Sequence, residues 1–271
     1  MASTHYRYQC NANGDTALPA LASISGLPKL RIKDAMAKGA VWLGRGGKTK
    51  RLRRATFALL PGDTLDLYYD ATVLALIPPE PILLADERAW TVWVKPAGLL
   101  AQGSQSGDHC ALLRLAEQRL QRETFLVHRL DREAAGLMLL AHTGKAAAAL
   151  SALFASARQD GIEKGYRVEV AGALEPETGA IELPLDGKSA LTRYTRQAYL
   201  AERDSSLADV TLVTGRKHQI RRHFAALGHP VLGDPRYGHG HSDPRGLQLF
   251  AVRLAFTCPL KRKRAEFHWQ P

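Results

Sequence analysis

Apolar positions along this chain form short runs and alternations that are separated by polar turns. Alternating apolar residues over 65–69 and 166–170, and a largely apolar run over 91–94, predict β-strands, because side chains alternate between the two faces of a strand. Apolar spacing over 220–227 predicts an α-helix, and the alanine-rich segment 144–157 predicts another by propensity. Strands mixed with helices indicate an α+β fold.

A basic helix–turn–strand pattern occupies the N-terminal part of the chain. Pro28 suits the first turn of a helix that ends at Gly39, and a short strand follows at 41–43. Residues 29–54 contain ten lysines or arginines and a single acid, Asp34. These cations repel one another unless a counter-charge is supplied, and a nucleic-acid phosphate backbone supplies one. The alternative is a solvated basic surface.

This basic stretch contains the candidate RNA contacts of the N-terminal part, which are Lys29, Arg31, Lys48, Lys50, Arg51 and Arg53. The sequence GGKT within it ends like a phosphate-binding P-loop. Trp42, however, occupies the position where that motif needs its first glycine. The stretch therefore does not predict a nucleotide-binding site.

Composition narrows the class of protein. A net charge of +11 favours a polyanionic partner. The three cysteines are widely spaced, which indicates neither a disulfide framework nor a zinc cluster. No segment has the length and apolarity of a membrane span or the pattern of a secretory signal. We therefore expect a cytoplasmic protein that is monomeric by default, with no membrane association and no metal site.

A proline-rich segment divides the chain. Residues 77–81 contain three prolines, which predicts a stiff linker between two domains. We place an N-terminal domain at residues 1–78 and a larger domain at residues 79–271.

A compact polar turn lies at the centre of the larger domain. His128, Arg129 and Asp131 fall within four residues, between the apolar runs 125–127 and 137–141. Two buried runs hold such a turn rigidly, and nearby cations keep a carboxylate ionised. Asp131 is therefore a candidate nucleophile or base, although Asp–Arg neighbours also occur commonly in turns and helix caps.

Two later segments carry further polar side chains. Tyr166 opens an alternating strand, where an aromatic residue is most often structural. Four cations crowd the N-terminal half of the helix predicted after it, namely Arg216, Lys217, Arg221 and Arg222. Cations at a helix N-terminus oppose the macrodipole, so we expect a carboxylate or phosphates beside them. The nearby histidines lack the spacing of a metal site.

The N-terminal part resembles the small RNA-binding domain named after ribosomal protein S-four. The resemblance rests on KLRIKDAMAKGAVWLG and LLPGDTLDL, within about residues 25–70. In that family the helix and the following turn lie against RNA, which implies RNA contacts for the basic stretch. The turn GRGGK departs from the usual Asn-Gly type.

The larger domain resembles the RluA-type pseudouridine synthases. HRLDREAAGLMLLA is similar to their catalytic segment, EKGYRVEVAG to a second motif and TGRKHQIRRHFAALGHPVLGD to a third, in the family's order. The match extends over about residues 85–260. It implies a mixed, mainly antiparallel sheet flanked by helices, with the active cleft across it. It also implies conversion of uridine in RNA to pseudouridine without a cofactor.

The resemblance implies three catalytic residues. Asp131 would be the catalytic aspartate, Tyr166 would stack against the target uracil, and Arg221 would pair with the Asp131 carboxylate. A uridine inside a paired stem is unreachable, so its base must be flipped out. The residues leave open whether the carboxylate attacks the sugar, attacks the base or acts only as a base.

The resemblance also implies substrate-binding positions. Arg129 would help to open the RNA and fill the space of the extruded base, and Leu249 would lie in the apolar wall of the uracil pocket. Arg216 and Gln219 would support the site or contact RNA. The pair at 134–135, usually Thr-Ser in the family, is Ala-Ala here.

We therefore expect a pseudouridine synthase that acts on structured RNA. The appended RNA-binding module favours ribosomal RNA over transfer RNA. The main alternative is a non-catalytic RNA chaperone or ribosome-assembly factor that kept the fold. An enzyme acting on free nucleosides would have no use for the basic stretch at 29–54.

Overall fold

The computed structural model describes residues 3–155 and 161–271, and the chain forms two compact units. One unit is the chain up to Pro78 together with Gln102–Arg119, and the other is Pro79–Ala101 together with Leu120–Pro271. The division differs from the one drawn from the sequence in one respect. The segment Gln102–Arg119, assigned from the sequence to the larger domain, packs with the first unit.

The first unit is built on an antiparallel sheet in the strand order β1-β4-β2-β3. Its elements in chain order are β1 (Thr4–Gln9), α1 (Ala17–Ser25), α2 (Lys29–Ala37), β2 (Val41–Arg45), β3 (Lys48–Arg51), β4 (Thr64–Tyr69) and α3 (Ala71–Leu74). Most of α4 (Leu112–Leu120) belongs to it as well. The buried faces of α1, α2 and the sheet enclose one core around Leu21, Ile32 and Leu65.

Helix α2 follows the pattern predicted from the sequence. It begins one residue after Pro28 and buries Ile32, Ala35 and Met36. Gly39, just beyond its last turn, has a φ of +82°. Glycine adopts this left-handed conformation without the penalty that a Cβ brings, so it ends the helix as expected.

The hairpin between β2 and β3 has a two-residue turn. Strand β2 continues through Arg45, and the connection is made by Gly46 and Gly47, whose φ values are +55° and +73°. Two successive residues with positive φ make a type I′ hairpin turn. GGKT accordingly leads into a strand instead of a helix, and these residues do not form a P-loop.

Ion pairs explain why the segment Gln102–Arg119 packs with the first unit. Asp108 Oδ2 lies 2.5 Å from Arg53 Nη2 and 3.1 Å from Arg51 Nε. The Asp108 N–H also donates to Lys38 O at 2.9 Å. These contacts join residues far apart in the sequence, and a boundary read from contiguous composition does not detect them.

The second unit contains a ten-stranded sheet within the described residues. Its elements are β5 (Ile82–Asp86), β6 (Trp90–Lys95), β7 (Phe125–Leu126), β8 (Ala135–Ala141), α5 (Gly144–Ala155), β9 (Ile162–Ala171), β10 (Thr178–Ile181), β11 (Thr192–Leu200), a 3-10 turn (Ala201–Arg203), β12 (Ser205–Leu212), α6 (Gln219–Ala226), β13 (Leu249–Thr257) and β14 (Arg264–His268). The main path runs β10-β11-β12-β9-β13-β8-β6-β5, while β14 pairs with β13 and β7 with β8. A mixed, mainly antiparallel sheet flanked by helices confirms the expected fold class.

The helices of this unit lie close to their predicted positions. Helix α5 ends at Ala155, and the predicted extension over 156–157 lies outside the described residues. Helix α6 begins at Gln219, so Arg216 and Lys217 precede it instead of lying in its first turn. Across the ranges that the structure describes, no helix is long and apolar enough to cross a membrane.

The two halves of the large sheet meet where β8 and β13 pair in parallel. The contact is short and joins Ala135 to Phe250 and Gly136 to Ala251. Gly136 has a φ of +121°, and a Cβ built there would lie 2.3 Å from Ala251 O. Because any larger residue would push the strands apart, glycine is required at this seam.

Candidate active site

The polar turn identified from the sequence is the loop between β7 and β8, and Asp131 lies near its middle. His128 Nε2 accepts a hydrogen bond from Leu139 N at 2.9 Å, and its ring stacks on Phe154 with centroids 4.1 Å apart. Burial, helped by the nearby Lys164 ammonium, lowers the pKa of His128 to about 3, so the ring stays neutral and can accept. The imidazole therefore anchors the start of the loop to β8.

A buried lysine at the end of β6 holds the other end of the loop. Lys95 Nζ lies within hydrogen-bonding distance of four backbone oxygens, which its three N–H groups share. They are those of Pro96 (2.9 Å), Leu99 (2.8 Å), Arg132 (3.3 Å) and Ala134 (2.6 Å). Burial lowers the pKa of Lys95 to about 7, against the attraction of Glu133 and Asp131. Lys95 thus ties the turn after β6 to the backbone immediately after Asp131.

The Asp131 carboxylate is paired with a buried arginine from α6. Arg221 Nη1 donates to Asp131 Oδ2 at 3.0 Å, while Nε and Nη2 each donate to Asp234 at 2.7 Å. The Asp131 side chain is 18% exposed, against 3% for Arg221 and 0% for Asp234. Burial alone would lower the pKa of Arg221, but its hydrogen bonds to both aspartates raise it, so it stays a cation. Of the two aspartates, Asp131 is the one that solvent and substrate can reach, and Glu133, which is 41% exposed, places its Oε2 3.7 Å from Arg221 Nη1.

A histidine approaches the second oxygen of Asp131. His218, with a φ of +54°, places Nε2 3.5 Å from Asp131 Oδ1, which is beyond a normal hydrogen bond. Its Nδ1 lies 3.1 Å from the Tyr237 hydroxyl, and the Tyr237 ring centroid lies 5.3 Å from Arg221 Cζ. Burial lowers the pKa of His218 despite the attraction of Asp131, so the imidazole is neutral at pH 7.

A cavity of about 350 Å³ opens beside Asp131, within the size range of small-molecule sites. Tyr166 from β9 and Leu249 from β13 line it, and so do Arg129 and Arg216. Burial, with a contribution from Asp131, raises the pKa of Tyr166 well above its ordinary value, so the phenol keeps its proton at neutral pH. The structure thus gathers an ionisable carboxylate, an aromatic ring, an apolar wall and cations around one cavity.

Gln219 is held by its own neighbours. Its Oε1 accepts from Thr214 Oγ1 at 2.7 Å and from Arg216 N at 2.9 Å. Its Nε2 donates to Leu191 O and Thr192 Oγ1, both at 3.0 Å. With every polar atom engaged and only 2% of the residue exposed, Gln219 fits the supporting role better than contact with RNA.

The basic stretch of the first unit divides into two kinds of residue. Lys29, Arg31, Lys48 and Lys50 are exposed. The side chains of Arg51 and Arg53 turn inward to Asp108, and Arg45 pairs with Asp63 at 2.5 Å. For these three arginines, acids outside the stretch supply a counter-charge within the chain, and the RNA contacts expected of Arg51 and Arg53 stay predictions.

Three residues at the site were not among the sequence candidates. They are Lys95, His218 and Asp234, and each acts on the loop of Asp131 or on its partner Arg221. The sequence analysis expected a carboxylate or phosphates beside the cations around α6, and that expectation is the signal that pointed toward a residue such as Asp234. Among the described residues, no group of three or more His, Cys, Asp or Glu side chains is placed to hold a metal ion.

Comparison with known proteins places this site in a family. The family model for RNA pseudouridylate synthase matches residues 89–226. An uncharacterized RNA pseudouridine synthase of Mycobacterium bovis is 31% identical over 93% of this chain and 84% of its own length. The dual-specificity RNA pseudouridine synthase RluA of Salmonella typhi is 34% identical over 67% of this chain and 90% of its own. Human RNA pseudouridylate synthase domain containing 1 shares the fold, with a TM-score of 0.60 and 21% identity over 72% of this chain and 86% of its own.

The chain belongs to the RNA pseudouridylate synthase family. Such an enzyme is an isomerase that converts uridine in RNA to pseudouridine, and RNA is its partner. Within the family this chain is of the RluA type, as its motifs indicated.

Proposed function

We propose that this enzyme isomerises specific uridines in structured RNA with Asp131 as its catalytic carboxylate, and that it acts on ribosomal RNA in preference to transfer RNA. The observation that carries the proposal is the 3.0 Å pair of Asp131 and Arg221 beside the cavity lined by Tyr166 and Leu249. A carboxylate that pairs with a buried cation, and that opens to a cavity, can serve as nucleophile or base.

The isomerisation rearranges bonds without net gain or loss of atoms. The bond from C1′ to N1 of the uracil breaks, the base turns, and a bond from C1′ to C5 forms, while C5 loses a proton and N1 gains one. Asp131 supports this by attack or by accepting a proton, and Arg221 balances its charge. Tyr166, whose phenol stays protonated, stacks on the base. None of these steps calls for a redox cofactor or a metal.

The first unit supports the choice of a structured RNA target. Its exposed cations at Lys29, Arg31, Lys48 and Lys50 lie on α2 and on the hairpin after it, the surface that the S-four resemblance assigns to RNA. A Vibrio cholerae relative, 32% identical over 64% of this chain and 60% of its own length, is named ribosomal large subunit pseudouridine synthase C. Arg129 and Arg216, at the cavity, would contact the strand that carries the flipped uridine.

The test combines a variant with a pseudouridine map. Asp131→Asn keeps the size of the side chain and removes its charge, so we expect isomerisation to fall at least about a thousandfold while the Kd for RNA changes less than about twofold. Cells that lack the gene should lose pseudouridine at one or a few positions, restored by wild type and not by Asp131→Asn. An unchanged map would instead favour the non-catalytic chaperone or assembly factor.

A further inference from the structure

Arg221 contacts its two aspartates with different parts of the guanidinium. The Nε and Nη2 edge, which matches a carboxylate in a bidentate fork, is occupied by Asp234 with two bonds of 2.7 Å. Asp131 receives one bond, from Nη1 at 3.0 Å to its Oδ2. Arg221 thus makes its stronger, bidentate contact with the buried carboxylate of Asp234.

We propose that Asp234 is a positioning residue that restricts Arg221 to a single hydrogen bond with Asp131 and so leaves Asp131 Oδ1 available to the substrate. The inference rests on the proposed catalytic role of Asp131. Without Asp234, the bidentate edge is free to turn toward Asp131 and engage both of its oxygens. A carboxylate gripped at both oxygens by one cation is a weaker nucleophile and a weaker base.

Asp234 is itself held rigidly enough to do this. Its Oδ1 accepts hydrogen bonds from the backbone N–H groups of Arg236 at 2.8 Å and Tyr237 at 3.0 Å. These two bonds close a tight turn that follows residues 230–233. The Tyr237 ring lies over the Arg221 guanidinium, with Cζ 5.3 Å from the ring centroid. Burial would raise the pKa of Asp234, but its bonds from Arg221 and from the two N–H groups lower it, so it stays ionised. A fixed anion of this kind orients the arginine without contacting substrate.

The next residue of α6 offers a natural comparison. Arg222 also forms a bidentate contact, with Asp186, but through its two terminal nitrogens, Nη1 at 2.9 Å and Nη2 at 3.1 Å. That carboxylate is 70% exposed and Arg222 is 26% exposed. The pair is therefore a second bidentate arginine–carboxylate contact on α6, exposed and with no bond to Asp131, and it supplies a control for the loss of such a contact.

The test uses Asp234→Asn in the full-length protein. The asparagine keeps an oxygen for the two backbone N–H groups, but its amide replaces the oxygen that accepts from Arg221 Nε, so the fork opens. We expect kcat for uridine isomerisation to fall about 10- to 100-fold, because small displacements at a reacting centre cost that much. The KM and Kd for RNA should stay within twofold, and Asp186→Asn should leave kcat unchanged.

A double-mutant cycle separates positioning from a general structural role. Lysine has no bidentate edge, so in an Arg221→Lys background Asp234→Asn should lower kcat by less than threefold further. Losses that simply multiply would overturn the proposal, because Asp234 would then act independently of Arg221. Wild-type kcat in folded Asp234→Asn would overturn it as well.

A second variant covers the case in which Asp234→Asn does not fold. Asp234→Glu keeps the charge but moves the carboxylate by one methylene, and it should lower kcat at least about tenfold with RNA affinity unchanged. Wild-type kcat in folded Asp234→Glu would contradict the proposal. If Asp131→Asn remains active, the proposed function fails; if Asp131→Asn is inactive and the Asp234 variants are normal, this inference alone fails.

Discussion

The site around α6 and the basic stretch at 29–54 are both rich in cations, but they hold them differently. Around α6 the central cation, Arg221, is 3% exposed and lies between two aspartates. In the basic stretch Arg51 and Arg53 turn inward to Asp108, which lies outside the stretch. Arg45 pairs with Asp63 but stays exposed, and the other exposed cations are mostly lysines. The two regions have a similar density of cations in the sequence. In the fold, the central cation around α6 is buried between carboxylates, whereas most cations of the basic stretch are exposed.

The chemistry of the two side chains accounts for the difference. Guanidinium presents several donors in a rigid plane and is weakly hydrated, so it can be buried against a carboxylate. Ammonium is strongly hydrated on a flexible stem, which suits an exposed contact with a phosphate. In the first unit, Asp63 and Asp108 form ion pairs with arginines, whereas Lys48 and Lys50 are exposed to solvent.

The largest effect is expected where the internal pairs of the first unit are broken. Asp108→Ala leaves Arg51 and Arg53, 17% and 27% exposed, without their shared carboxylate. We expect the free energy of unfolding to fall by about 2 kcal/mol. Chemical denaturation of the intact protein measures it. Asp34→Ala, which breaks the exposed pair with Lys38, should cost less than about 0.5 kcal/mol, and equal losses would show that burial makes no difference here.

Lys95 sharpens the comparison because it is a lysine that is buried. Its pKa is about 7 in the fold, and an unfolded lysine titrates near about 10.4, so between these values the unfolded chain binds more protons. Stability from this group therefore rises with pH, by at most about 1.4 kcal/mol per pH unit. The unfolding free energy of wild type minus that of Lys95→Met should therefore increase from pH 7 upward. The exposed Lys145, changed to Met, should show no such trend, and parallel curves for Lys95→Met would mean that Lys95 stays charged.

The smallest effect is expected on the outward lysines. Changing Lys48 and Lys50 together to Gln should weaken RNA binding about fivefold and flatten the slope of log K against log salt by about 1 to 2, because fewer phosphates are neutralised. Changing Arg51 and Arg53 to Gln should instead lower stability and leave that slope unaltered. If the arginine pair also flattens the slope, the division between inward and outward cations does not hold.

The main residues that meet at the cavity could all be selected as candidates from the sequence. Asp131, Tyr166, Arg221 and Leu249 come from a loop, a strand, a helix and another strand, and they meet at one cavity. Each belongs to a motif whose residue types carry chemistry or apolar packing, which is why the motifs could be recognised one by one. Their roles in the reaction stay predictions.

The supporting residues could not be predicted in the same way. Asp234 lies in a Gly-Asp-Pro turn, where an aspartate usually serves the turn itself, and its partner Arg221 is a helix residue 13 positions earlier. Lys95 precedes Pro96 in a turn, and lysine is rarely buried, so it reads as a surface residue. Asp108 joins residues 55 positions away, which only the folded chain shows.

The parallel seam at Gly136 has a consequence for assembly. The loop of Asp131 belongs to the half of the sheet that contains β8, whereas Tyr166, Arg221 and Leu249 come from the half that contains β9 and β13. Neither half by itself holds both the carboxylate and its cation. On the proposed role of Asp131, a chain in which β8 and β13 are apart lacks the Asp131–Arg221 pair, so the reaction requires the complete sheet.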